Sequence, residues 1–135
     1  MQRLSASVLS IGLMGSVACY VHTDAHMLVP AHRYPRVCSA AVAFFDHQNP
    51  PQRGYLTIAT LSVWWPADMV AFVSTVERAE RNKAAKLGAN GIIRGGLVSD
   101  SIQPKYFADV AGTAIFIPAD SSRVVAACTK AQGAG

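Results

Sequence analysis

Apolar positions along the chain fall into a few blocks, and their spacing predicts a small set of elements. Val37 to Phe45 (VCSAAVAFF) is a short apolar run and predicts a first strand. His47 to Gly54 (HQNPPQRG) is a loop by its Pro, Asn and Gly content. Tyr55 to Val63 (YLTIATLSV) is rich in β-branched and aromatic residues and predicts a second strand. Pro66 suits a first helical turn, and a helix is predicted from about Ala67 to Leu87. Met69, Phe72, Val73, Val76, Ala79, Ala84 and Leu87 fall mostly at three- and four-residue spacing and would make one apolar face. Glu77, Arg78, Glu80, Arg81 and Lys86 take the other sides. Gly88 is a natural left-handed stop after the helix. Gly91 to Arg94 predicts a third strand, Gly95-Gly96 a turn, and Leu97 to Lys105 a loop. A fourth strand is expected within Phe107 to Ile117, clearest over Thr113 to Ile117 and closed by Pro118.

These elements predict an α+β domain over residues 36–118. Its expected core is a small, mostly antiparallel sheet of about four strands with one long helix packed across one face. Residues 119–135 read as a C-terminal tail, with room for one turn of helix around Val124 to Cys128.

The N-terminus follows a different pattern. Arg3 is the one charge in a short n-region, and Leu4 to Val17 then runs uncharged for 14 residues. A membrane-spanning helix needs about 20. The length matches a secretory h-region, so residues 1–18 read as a signal peptide. Two cleavage sites compete. Val17-Ala18-Cys19 can end a lipobox, which makes Cys19 the lipidated first residue of the mature chain. Ser16-Val17-Ala18 can instead be an ordinary small-x-small site, which leaves Cys19 as a free thiol. The lipoprotein reading is preferred, because an unpaired thiol at an exported N-terminus is a liability that lipidation removes. The protein is then expected in the cell envelope, lipid-anchored and facing the periplasm, or otherwise secreted. Residues 19–35, with three His and two Pro, read as a tether.

Composition narrows the function classes. About half the residues are hydrophobic and 15% are charged, which suits a packed core and not disorder. Lys and Arg number 12 against 8 Asp and Glu; loss of Arg3 with the signal peptide takes the net charge from +4 to +3. Only Arg78, Arg81, Lys83 and Lys86 cluster, and Glu77 and Glu80 dilute them, so no nucleic-acid partner is expected. The chain has no Walker loop, no G-x-G-x-x-G, no G-x-S-x-G, no H-E-x-x-H and no C-x-x-C. No cofactor is called for, and the chain is not expected to be an enzyme. His22 and His26, four apart with Asp24 between them, would share a face on a helix and could hold a divalent metal. A polar tether is the preferred reading, with no metal assigned. Trp64 and Trp65 are adjacent, so on a strand they face opposite ways. One is expected in the core, and the other at its rim or in contact with a partner protein.

The stretch Ala84-Ala85-Lys86-Leu87-Gly88-Ala89-Asn90-Gly91-Ile92-Ile93 resembles the helix-to-strand signature A-A-x-L-G-A-N-A-[VI]-[VI] of small envelope lipoproteins. These include the outer-membrane sensor of the Rcs phosphorelay and the YbjQ-like family. Tyr55 to Ala59 resembles the strand those proteins place before the helix, and Gly112 to Phe116 resembles their last strand. The resemblance implies a small sheet with a helix across one face, and other envelope proteins as partners. The residues Leu87, Gly88, Ala89 and Asn90 read as a folding motif and not a catalytic one. The expected role is therefore a protein-binding or sensor-like envelope module, with a metal-binding envelope protein as the alternative.

Cysteine count adds one expectation. With Cys19 lipidated, Cys38 and Cys128 remain, and an oxidising compartment favours a disulfide between them. Two separate buried thiols are the other reading. Replacing Cys19 with Ala is expected to leave the protein exported but no longer anchored. Labelled fatty acid should reach the wild-type chain and not Cys19→Ala; wild-type protein that stays unlabelled would establish the ordinary cleavage site.

Overall fold

The computed structural model describes residues 21–66, 73–97 and 107–134. The proposed signal peptide, Cys19, the first predicted helical turns with Met69 and Phe72, and most of the loop before Phe107 lie outside the described residues. The strands are β1 (His22–Met27), β2 (Ala43–Asp46), β3 (Leu56–Pro66), β4 (Gly91–Leu97) and β5 (Phe107–Phe116). The helices are α1 (Val73–Lys86) and α2 (Ser121–Gly133), and 3₁₀ turns lie at Ser39–Ala41 and Pro118–Asp120.

One five-stranded sheet has the order β1-β3-β5-β4-β2. Three of its pairings are antiparallel, and β2 runs parallel to β4. The unit β3-α1-β4 is a split β–α–β, with β5 inserted between its two strands.

The expected fold class holds in its outline and needs four corrections. The sheet has five strands rather than four, because residues 22–27 of the supposed tether form β1. The helix is not long: α1 covers 14 residues. The first predicted strand is shorter and later, because Cys38 leads into the turn Ser39–Ala41 and pairing begins at Ala43. The supposed tail forms the full helix α2, 13 residues long.

Each element has a local cause. Thr23, Ala25 and Met27 of β1 are half-buried while His22, Asp24 and His26 are exposed, which is the two-residue period of a strand. α1 stops where Gly88 takes φ +83°. The amide of Ala89 donates to Ala84 O (3.0 Å) and that of Gly88 to Ala85 O (3.1 Å), a Schellman ending. A Cβ on Gly88 would also stand 2.6 Å from Tyr34 Cβ, so the chain before β2 needs glycine there.

The core lies between α1 and one face of the sheet. Ala84, Ala85 and Ala89 pack with Ala59, Leu61, Ile92 and Ala114, and the small alanines let the helix sit close to the strands. α2 is held differently, since none of its residues is buried. It docks on the two 3₁₀ turns at the end of the sheet. Cys128 is disulfide-bonded to Cys38, with a Cα separation of 5.6 Å. Arg123 donates to Asp120 Oδ2 (3.1 Å), Ala41 O (2.9 Å) and Asn90 O (3.2 Å).

Asn90 closes the same end. Its fully buried side chain donates from Nδ2 to Ile117 O (2.9 Å), and Oδ1 accepts from Ile117 N (2.8 Å). Asn90→Ala leaves the buried amide of Ile117 without a partner, at about 1–3 kcal/mol, while Ile117 O still accepts from the amide of Asp120 (3.1 Å). A loss of about 1–3 kcal/mol is expected in urea unfolding, and a loss under about 0.5 kcal/mol would refute this role for the side chain.

Candidate functional site

The two faces of the sheet carry different chemistry. On the helix side, α1 brings Glu77 and Glu80 over β4, where Arg94 points at them. Arg94 Nη2 lies 2.6 Å from Glu77 Oε1 and 4.0 Å from Glu80 Oε2. Phe44 of β2 sits between two guanidinium groups, with Arg94 3.9 Å and Arg81 4.7 Å from its ring centre. These contacts are cation–π stacks that orient both arginines.

The two carboxyls titrate in opposite directions. The hydrogen bond from Arg94 holds Glu77 below the usual carboxylate range. Burial pushes Glu80 up, Glu77 pushes it the same way, and Arg94 opposes both. The Glu80 side chain is 1% exposed, and its Oε1 has no hydrogen-bond partner. It is a desolvated acid with only part of the compensation a charge needs there.

On the opposite face, β1 and β3 build an aromatic and polar patch. His22 stacks on Trp64, with ring centroids 4.2 Å apart and planes 18° from parallel. Trp64 Nε1 donates to Asp24 Oδ2 at 3.1 Å. Thr60 is exposed and Ser62 half-buried on the same side of β3. Trp65 alternates onto the helix side with Leu61 and Val63, and it too is half-buried. The two tryptophans are thus separated by the pleat and form no joint patch.

The remaining candidate residues are placed as follows. Leu87, Gly88, Ala89 and Asn90 form the α1–β4 turn, and Cys38 and Cys128 meet beside it. Cys19 lies outside the described residues. His22 and His26 share an exposed face, but on a strand rather than a helix. Four residues of strand separate them by about 13 Å, too far for one ion. Among the described residues, no three His, Cys, Asp or Glu converge to hold a metal. Sequence reasoning missed the pairing of Arg94 with Glu77 and Glu80 and the two stacks on Phe44. The one signal for them was a lone arginine on an otherwise apolar strand, Gly91-Ile92-Ile93-Arg94.

No family model, curated protein or solved structure matches this chain.

The carboxyl of Glu80 supplies a pH test. A folded-state pKa raised above the ordinary 4.5 means the folded protein holds the proton more tightly. That contribution is present below the ordinary value and is lost as pH rises through the folded value. Glu80→Gln removes the buried charge and keeps the shape. It is expected to match wild type near pH 4 and to be more stable by about 1 kcal/mol at pH 7–8. Glu77, whose slope has the opposite sign, is present in both proteins, so only its coupling to Glu80 adds to the difference. A gap between the two proteins that does not change with pH would refute the assignment.

Proposed function

We propose that the chain is an exported envelope lipoprotein that works by binding other envelope proteins. The observation that carries this reading is the Cys38–Cys128 disulfide, because such bonds persist in oxidising compartments. The uncharged run Leu4 to Val17 and the cysteine after it supply the route and the anchor. The preference for binding over catalysis rests on the sequence, which has none of the nucleophile, phosphate-loop or metal motifs sought.

The position of β1 makes the proposal more concrete. Only Tyr20 and Val21 separate Cys19 from His22, the first residue of the strand. The three steps from Cys19 to His22 reach about 11 Å at most. A lipid on Cys19 therefore keeps the β1 start, and Trp64 paired with it, close to the bilayer. Tryptophan suits that level, since its ring is apolar and its N–H is polar. The patch of His22, Asp24, Thr60, Ser62 and Trp64 then lies within reach of proteins at the membrane surface.

Site-specific photocrosslinking in intact cells tests this. A crosslinker at Thr60 is expected to give a discrete adduct that Trp64→Ala abolishes, with none from Lys86, an exposed residue on α1. Equal adducts from both positions, or none from Thr60, would refute the assigned surface. Reading the fatty-acid label on the same samples tests the anchor separately.

A further inference from the structure

A groove of about 310 Å³ lies between α1 and the turn Ser39–Ala41. It is lined by Ser39, Ser74, Glu77, Arg78, Arg81 and Asn82, with Ala40 beside Ser39. Along α1, 74 and 78 are four apart, and 81 and 82 follow 78 by three and four, so these positions share one side of the helix along the groove. We propose that this groove binds a phosphate group, held by Arg78 and Arg81 with Ser39, Ser74 and Asn82 as neutral donors.

Three observations support it. The first is a donor without an acceptor: Arg81 Nε is buried and makes no hydrogen bond. That atom is closed to solvent, so an oxyanion in the groove would meet the Nη donors at the end of the same guanidinium group. The second is preorganisation. The Arg81 guanidinium already lies over the Phe44 ring, so less side-chain freedom is lost when an anion arrives. The third is charge. Glu77, the acid on the lining, is hydrogen-bonded to Arg94 at 2.6 Å, which offsets its repulsion of an anion. Arg78 is exposed and has its charge available.

The donor set favours a tetrahedral oxyanion over a carboxylate. One arginine fork satisfies a carboxylate in its plane. Here two guanidinium groups, two hydroxyls and one amide come from two elements and surround a volume of about ten waters. A phosphate has oxygens to meet donors arriving from several directions. The phosphate could belong to a lipid headgroup or to a free phosphate or phosphoester, and the chemistry of the site is the same for both. The proposal is independent of the partner surface around Trp64.

Calorimetry on the full chain in an uncharged detergent, with inorganic phosphate as the probe and chloride at matched ionic strength as the blank, tests it. Saturable binding is expected. Arg78→Gln and Arg81→Lys should each weaken it about tenfold, as expected for loss of one charge-assisted contact. Lys86→Gln, outside the groove, should leave it unchanged. If Arg81→Lys fails to fold, Arg78→Gln still decides, since that side chain is exposed. Absence of saturable heat, or equal binding by Arg78→Gln, overturns the proposal. Repeating the titration in phosphatidylglycerol nanodiscs separates the sources. Weakened phosphate binding there assigns the groove to a lipid headgroup, and unchanged binding assigns it to a soluble phosphate.

Discussion

The side chain of Asn90 carries the architecture at one end of this domain. It occupies the place a further strand residue would fill, and it meets both backbone polar groups of Ile117 in the dry interior. Its own backbone is used on both sides. Asn90 N donates to Ile115 O, and Asn90 O accepts from Ala43 N and from Arg123. One residue thus joins the end of α1 to β5, to the start of β2 and to α2. A buried carboxamide can be favourable only when every polar atom finds a partner, so this turn has one workable geometry. Gly88 sets that geometry by its positive φ, and Ala89 is fully buried between helix and strand.

Much of this was legible in the sequence, and the limits have physical causes. Gly88 as a helix stop and the strands after the HQNPPQRG loop could be read locally, because backbone preference and apolar patterning act within a few residues. β1 was hidden because its alternation is of His and Asp against Thr, Ala and Met, a weak contrast in a stretch crowded with histidines. α2 was hidden for a related reason. It fully buries no residue, its short stripe of Val124, Ala127 and Cys128 is only half-buried, and its further attachments are a disulfide and one arginine that reach across the chain. The second face of the sheet was invisible too. Nothing in the sequence says that Trp64 meets His22 and Asp24, some 40 residues earlier.

The way α2 is fastened bears on where the domain can be complete. A bond that closes a loop of about 90 residues restricts the unfolded chain by about 4–5 kcal/mol on the chain-entropy account, with measured values often lower. Remove that bond and α2 keeps Arg123 and a contact with two short turns, with only Val124 and Ala127 as half-buried apolar contacts. Asp120 is shared between Arg123 and Arg53, so the polar fastening also ties in the loop before β3. Polar latches of this kind depend on geometry that the disulfide helps to hold. The helix would be weakly attached in a reducing compartment and firmly attached in an oxidising one, which fits a protein that finishes folding after export.

The same logic separates the two surfaces to which roles are assigned. The helix side is tightly filled where alanines meet, and it opens into the groove where α1 carries charge instead, at Glu77, Arg78 and Arg81. Charge on that stretch of helix keeps the groove wet and leaves room beside the turn Ser39–Ala41. The opposite face carries Trp64 with its N–H already bonded to Asp24 and its ring already stacked on His22. A partner arriving there would meet an aromatic held in one orientation, with little rotamer freedom left to lose on binding. Arg81 over Phe44 is held by the same principle on the other side of the sheet. In both places a contact between an aromatic ring and a polar side chain fixes one of the two before any ligand is present, and that shared device is what the two proposed contact regions have in common.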